Sequence, residues 1–115
     1  MRTKEESQAV ALRKFKADIF ATLANPTRIH IIECLTEGEL PVGKIVERIG
    51  VEPSNASQHL AVLRSNGLVL TRKQGNQVYY CLRDPMLAEV LCSMRSYFRA
   101  HITEALEMLK GIGDD

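Results

Sequence analysis

Long apolar runs are missing from this sequence. No segment of the 115 residues approaches the roughly 20 consecutive apolar residues that a membrane-spanning helix needs. The N-terminal residues MRTKEESQ carry charges where a secretory signal peptide has an apolar run. These two absences predict a cytoplasmic protein without a membrane partner.

Cysteine is scarce, with three residues, Cys34, Cys81 and Cys92. An odd number at wide spacings does not fit the paired disulfides of small secreted domains, so we expect reduced thiols. Repeats, low-complexity segments and interdomain linkers are missing as well, and 115 residues fit one ordinary domain. We therefore expect a single domain over residues 1–115.

Acidic residues are missing from one part of the chain. Residues 53–83 contain no Asp or Glu, whereas the rest of the sequence holds 14 acidic and 11 basic residues. The net charge of +1 therefore hides a local positive excess. Such an excess is typical of nucleic-acid binding, but it also arises by ordinary surface variation. The basic residues of this segment are Arg64, Arg72, Lys73 and Arg83.

Four segments in the first part of the chain have the apolar spacing of helices. The first runs from about Lys4 to Leu23, and the second begins after Asn25, a helix-capping residue that is followed by proline. The third covers about 41–49, and the fourth begins near residue 52 and is capped near Gly67. The inward residues predicted for the second helix are Ile29, Ile32 and Leu35.

The apolar period changes to two after Gly67. The runs LVLTRK and QVYYCL flank a turn at residues 74–76, which predicts a β-hairpin. A last helix follows, from Asp84 to about Lys110, and its apolar stripe is longer than a small core can cover. We therefore expect a homodimer, in which a second copy buries the surplus. The stripe consists of Leu87, Leu91, Met94, Phe98, Ala105 and Met108.

The predicted fold is mostly α with a small β-hairpin, in the order α-α-α-α-β-β-α. Two short helices joined by a tight turn and followed by a basic hairpin are typical of a winged helix-turn-helix that binds double-stranded DNA. Each feature alone is also typical of a solvated surface. The fourth helix presents side chains that donate and accept hydrogen bonds at base edges, namely Ser54, Asn55, Ser57 and Gln58. The predicted backbone contacts are His59 and Arg64 on this helix, and Arg72, Lys73 and Asn76 on the hairpin.

Three segments resemble the ArsR/SmtB family of bacterial repressors: ANPTRIHIIECLTEGELPVGKI, PSNASQHLAVLRSNGLV and TRKQGNQVYYCL. The resemblance covers nearly the whole chain. It implies a winged helix-turn-helix homodimer that dimerises through its first and last helices. It also implies a repressor that binds a near-palindromic operator and is released by a chemical signal.

Neither metal site of that family has its ligands in this chain. The pattern Glu-Leu-Cys-Val-Cys-Asp-Leu corresponds to residues 39–45, where Pro41 and Gly43 replace both cysteines. The pattern Asp-x-His with a further His corresponds to Asp84, Met86 and Tyr97. Without sulfur and nitrogen ligands neither place offers a closed coordination shell, so we expect no metal and no cofactor.

The family also includes thiol-based sensors, with one cysteine in the second helix and one in the last. Cys34 and Cys92 lie in those two helices, one residue later and about two helical turns earlier than in the sensors. The resemblance therefore suggests a thiol sensor formed by Cys34 and Cys92. The alternative is three unreactive cysteines, with Cys81 as a structural residue of the hairpin.

Two other classes of function remain as alternatives. An enzyme needs a nucleophile, an acid–base pair or a metal in a pocket, and no such set stands out. His30 and Cys34 have the i, i+4 spacing of a metal pair or an activated thiol, but also of a solvated histidine near a half-buried cysteine. The second alternative is a winged helix that binds proteins, which salt-dependent binding to duplex DNA distinguishes.

Overall fold

The structure, a computed structural model, describes residues 1–113. The chain divides into two compact units, Met1–Arg83 and Asp84–Asp115, and the expectation of one domain stays a prediction. The second unit contains α5 (Met86–Gly113). The first unit contains α1 (Lys4–Leu23), α2 (Pro26–Cys34), β1 (Leu40–Pro41), α3 (Val42–Ile49), α4 (Pro53–Ser65), β2 (Val69–Gln74) and β3 (Gln77–Leu82).

A small antiparallel sheet accompanies the helices, which confirms the predicted fold class, and it has one strand more than the sequence predicts. β1 pairs with β3, so the strand order is β1-β3-β2. Leu40 lies opposite Tyr80 and Pro41 opposite Tyr79. A strand of two residues is too short to show an alternating pattern. Pro41 belongs to this strand and occupies the N-cap position of α3 without a side-chain cap, so the helix begins at Val42 and not at residue 41.

Local hydrogen bonds set the ends of the helices that position α4. The side chain of Asn25 accepts a hydrogen bond from the backbone N–H of Arg28 at 3.1 Å, which caps α2. α4 ends in a Schellman motif, in which the N–H of Leu68 donates to the carbonyl of Leu63 at 3.0 Å. Gly67 has φ +74°, the left-handed conformation that this motif requires. The chain therefore turns directly from α4 into the hairpin.

The core of the first unit lies between α2, α3, α4 and the start of β2. Each of its larger aliphatic side chains contributes about 1.5–3 kcal/mol by leaving water. α1 adds only Thr22 to the buried residues, and the Thr22 hydroxyl donates to the carbonyl of Asp18 at 2.9 Å. The core residues are Ile31, Ile32, Leu35, Ile45, Ile49, Ala56, Leu60, Leu63, Leu68 and Val69.

Large apolar side chains remain exposed on two helices. None of the side chains of residues 84–111 is buried. Among residues 1–113, no helix combines the length and the apolar character that crossing a bilayer requires. The exposed residues are Val10, Leu12, Phe15 and Phe20 on α1, and Met86, Val90, Tyr97, Phe98, Ile102, Leu106, Met108 and Leu109 on α5.

Candidate nucleic-acid interface

α4 has a buried apolar side and an exposed polar side. Pro53 occupies its first turn, and the helix is anchored by Ala56, Leu60 and Leu63, all with 0% exposure. Because this anchoring side points into the core, the remaining side chains of the first turns face solvent. The structure therefore brings the four predicted base-reading residues together on one exposed surface: Ser54, Asn55, Ser57 and Gln58.

His59 is the predicted contact on α4 that the structure places differently from its neighbours. It is half-buried, and its Nδ1 accepts a hydrogen bond from Nε of Arg28 at 3.2 Å. Arg28 Nη1 also donates to the carbonyl of Thr22 at 3.1 Å. The imidazole is therefore held by a residue of α2, and Nδ1 is occupied by an intramolecular donor.

The hairpin, here called the wing (Val69–Leu82), ends in a tight turn with exposed polar residues. Gln74 lies opposite Gln77, which leaves Gly75 and Asn76 as the two turn residues. Gly75 has φ +60° and Asn76 does not have a positive φ, the combination of a type II′ hairpin turn. Lys73 and Asn76 are exposed beside this turn. Arg64 is exposed in the last turn of α4.

Arg72, the other predicted wing contact, is bound within the protein. Its Nε lies 3.0 Å from both carboxylate oxygens of Glu39, and its Nη2 makes a further contact with the same carboxylate. The guanidinium also lies 4.5 Å from the ring centre of Tyr79. The hydrogen bond from Arg72 lowers the pKa of the Glu39 carboxyl, and the same bond raises the pKa of Arg72.

Comparison with known proteins places this geometry in a family. The family model described as "Bacterial regulatory protein, arsR family" matches residues 25–71, from the N-cap of α2 into β2. The chain is 38% identical over 102 residues to the HTH-type transcriptional regulator Rv0081 of Mycobacterium tuberculosis, covering 88% of this chain and 90% of that protein. The chain belongs to the ArsR family.

Solved structures of similar proteins have the same fold. The crystal structure of Rv0081 matches with a TM-score of 0.76 at 40% identity, over 83% of this chain and 96% of that one. The homodimeric winged helix-turn-helix DNA-binding domain of Mb0332 from Mycobacterium bovis matches with a TM-score of 0.75 at 28% identity, over 88% and 91% of the two chains. The biofilm growth-associated repressor of Xylella fastidiosa is 34% identical over 89 residues, or 77% of this chain and 78% of that protein.

The cysteines of this ArsR-family chain have different surroundings. Cys34 is half-buried on α2, and Cys92 is exposed on α5, in the other unit. Burial raises the pKa of the Cys34 thiol, Arg48 opposes this shift, and Glu33 adds to it. A raised pKa lowers the thiolate fraction and with it the reactivity. The sensor formed by Cys34 and Cys92 stays a prediction.

Metal-binding side chains do not gather in the described part of the chain. Over residues 1–113, no three His, Cys, Asp or Glu side chains form a group that could hold an ion. His30 is exposed on α2, one turn before the half-buried Cys34. Cys81 is half-buried on β3.

Two residues that organise the site were not predicted from the sequence. Arg28 and Glu39 are 31 and 33 residues away from the partners they bind, His59 and Arg72. The sequence signals for both were ambiguous, because an arginine on a helix and a glutamate in a loop are typical of any solvated surface.

Proposed function

We propose that this protein is a homodimeric transcriptional repressor that reads operator DNA with α4 and contacts the DNA backbone with the wing. The observation that carries the proposal is the division of α4 into an anchored apolar side and an exposed polar side. A helix held by its apolar side presents its other side in a fixed orientation, as entry into a major groove requires.

The exposed side chains of α4 have the chemistry of base recognition. Asn55 and Gln58 carry amide groups, which pair with adenine through two hydrogen bonds. Ser54 and Ser57 donate or accept at any base edge. Arg64 near the end of α4 and Lys73 on the wing add positive charge for phosphate contacts, in a segment without acidic residues.

The exposed apolar faces of α1 and α5 support the dimeric part of the proposal. Phe15 and Phe20 on α1 are 61% and 60% exposed, and Tyr97 and Phe98 on α5 are 59% and 48% exposed. Apolar surfaces of this extent mark interaction sites. Mb0332, which shares the fold, is homodimeric. A second copy of this chain is therefore the proposed cover for these faces.

The proposed role is binding and not catalysis, because the family is one of regulatory proteins. Since operator DNA lies in the bacterial cytoplasm, the proposal includes a cytoplasmic location. It also includes release by a chemical signal, with Cys34 and Cys92 as the candidate receptors. The biofilm growth-associated repressor of Xylella fastidiosa, 34% identical, supports repression as the mode of regulation.

Substitutions on α4 test the proposal. An operator is selected from a random duplex pool with the wild-type protein, and affinities for it and for random DNA are measured by fluorescence anisotropy at several salt concentrations. Ser57→Ala and Gln58→Ala should each weaken operator binding by about 1–3 kcal/mol and leave random DNA nearly unaffected. Ser65→Ala is the matched control, since Ser65 lies at the other end of α4 and its hydroxyl donates to the carbonyl of Val62. A wild-type protein without salt-dependent duplex binding would instead favour a protein-interaction module.

A further inference from the structure

We infer that Arg72 is a positioning residue, which fastens the wing to the segment entering the helix-turn-helix by binding Glu39, and that Lys73 and Asn76 make the wing's DNA contacts. The inference rests on the proposed function. The charge of Arg72 and its place in the hairpin sequence instead predict a phosphate contact, and the inference replaces that prediction.

Each nitrogen of the half-exposed Arg72 guanidinium has a partner within the protein. Nε and Nη2 bind the Glu39 carboxylate in the fork geometry that makes such pairs directional. Nη1 donates to Oε1 of Gln74 at 2.6 Å. The ring of Tyr79 lies below the guanidinium and attracts its charge. A phosphate would therefore compete with the Glu39 carboxylate for the charge of Arg72.

The pair crosses the whole sheet. Arg72 on β2 lies opposite Tyr79 on β3, and Tyr79 lies opposite Pro41 on β1. Glu39 directly precedes β1. The side chain of Arg72 therefore links β2, at one edge of the sheet, to the chain that enters β1, at the other edge. Pro41 is also the N-cap of α3, the first helix of the helix-turn-helix. The contact therefore connects the wing to the start of α3.

The wing meets α3 through β3, which packs on α3 and pairs with β1, whereas the turn of the wing stands apart from the helix. β1 contributes two residues to the sheet, which is a short strand. Between the start of α3 and the turn of the wing lies an open groove of about 510 Å³, lined by Pro41, Val42, Gly43, Lys44, Glu47, Asn76 and Gln77. Because this groove separates the turn of the wing from α3, the Glu39–Arg72 pair adds a side-chain contact that ties the outer strand β2 to the segment before α3.

The pair also determines which wing charge is available to DNA. The Glu39 carboxylate lies against the guanidinium and compensates the charge of Arg72. Lys73 is exposed next to the turn and has no ion pair within residues 1–113. The charge that the wing offers to phosphate is therefore that of Lys73.

Four variants test the inference with the full chain, the selected operator and a random duplex. Glu39→Gln and Arg72→Gln each remove the pair, and we expect each to weaken operator binding by about threefold to tenfold. The double variant should be no weaker than either single variant, because both act through one contact. The dependence of affinity on salt should match wild type, since no phosphate contact is lost. Arg72→Lys, which keeps the charge but loses the fork, should weaken operator binding like Arg72→Gln.

Glu37→Gln is the control for the loss of one negative charge. Glu37 is exposed in the same loop and forms no ion pair within the described chain. Its substitution should leave operator affinity unchanged or slightly raised, in the direction opposite to Glu39→Gln. Amide hydrogen exchange of the free proteins gives a readout without DNA. Exchange at Leu40 and Tyr80 should be faster in Glu39→Gln and unchanged in Glu37→Gln.

A phosphate contact by Arg72 would produce the opposite pattern. Glu39→Gln would free the guanidinium and raise affinity for random DNA, and Arg72→Gln would reduce the salt slope by about one. That pattern, with normal wild-type binding, would overturn the inference and leave the proposed function intact. Wild-type protein that binds no duplex would overturn the proposed function and the inference with it.

Discussion

Nε of Arg28 on α2 donates a hydrogen bond to Nδ1 of His59, near the middle of α4, at 3.2 Å. The same guanidinium donates through Nη1 to the carbonyl of Thr22 in the last turn of α1, at 3.1 Å. One half-buried side chain therefore connects three helices. Arg28 thus adds hydrogen bonds between α4 and the first two helices to the core packing that anchors α4.

Arg28→Gln should lower the free energy of unfolding by about 1–3 kcal/mol, because it leaves partly buried acceptors without a donor. Urea unfolding followed by circular dichroism measures this change. Arg13→Gln on α1 is the control, since Arg13 is exposed and lies outside every ion pair of residues 1–113. It should change stability by less than about 0.5 kcal/mol. Equal losses in the two variants would contradict the role given to Arg28.

The sequence predicted those elements that local signals determine. The predicted bounds of α1, Lys4 to Leu23, are the observed ones, and Asn25 caps α2 as expected. The inward side of α2 was predicted less well, because Ile29 is 36% exposed whereas Ile31 is fully buried. α2 packs against both α3 and α4, so its buried side is determined by partners that a helical period does not reveal.

The surface of the site was predictable, whereas the contacts that hold it were not. The apolar stripe of α4 predicts which side chains lie on its opposite, polar side, and the structure exposes all four of them: Ser54, Asn55, Ser57 and Gln58. The engagement of His59 by Arg28 and of Arg72 by Glu39 depends on the folded arrangement of distant segments. The residue types predicted that His59 and Arg72 are free to contact DNA. In the fold, each of them is bound by another side chain of the protein.

Substitution of glycine by alanine should have opposite effects on the free energy of unfolding at Gly67 and at Gly43. Gly67→Ala should lower the free energy of unfolding by more than about 1 kcal/mol, because Gly67 has φ +74° and a Cβ there would lie 2.9 Å from Nη1 of Arg83. Gly43→Ala should raise it by about 0.5–1 kcal/mol, because Gly43 is exposed within α3 and its added Cβ would meet no atom within 4 Å. Thermal or urea unfolding measures both. Stabilisation by Gly67→Ala would contradict the requirement for a Schellman turn at this position.

Phe98→Glu should convert the proposed dimer into monomers, because it places a charge on the exposed apolar side of α5. Operator affinity should fall as well, since two half-sites about 34 Å apart must be bound together. Ser96→Glu adds the same charge to an exposed position of the same helix, about 200° away around its axis. Sedimentation equilibrium at micromolar concentration should show a dimer for wild type and Ser96→Glu. A monomeric wild type would rule out the dimer.

Cys34 should react slowly with iodoacetamide in the folded protein. Burial raises the pKa of its thiol, so the thiolate fraction at pH 8 is lower than in the urea-unfolded chain, and the rate should continue to rise at higher pH. Arg48 opposes this shift, so Arg48→Gln should slow alkylation of Cys34 further and leave that of Cys92 unchanged. Mass spectrometry of the alkylated peptides gives both rates. Equal Cys34 rates in the folded and unfolded chains would show that burial does not control this thiol.

The Glu39 carboxyl should titrate below its ordinary value of 4.5, because the hydrogen bonds from Arg72 stabilise the carboxylate. A carboxyl whose pKa is lower in the folded than in the unfolded chain stabilises the fold above the unfolded pKa. This stabilisation is lost as the pH falls through the lower, folded pKa. The Glu39–Arg72 pair should therefore persist at neutral and mildly acidic pH and break only in stronger acid.

A side-chain carboxyl NMR titration follows Glu39 directly. In Arg72→Gln the pKa of Glu39 should return toward 4.5, because the hydrogen bond that is the largest cause of the shift is gone. In Arg72→Lys the pKa of Glu39 should lie between its values in wild type and in Arg72→Gln, since an ammonium group supplies the charge without the fork geometry. High salt should weaken the shift in wild type, because the pair is half-exposed and is screened. Identical titration of Glu39 in wild type and Arg72→Gln would show that the pair does not form in solution, and Arg72 would then be available for a phosphate contact.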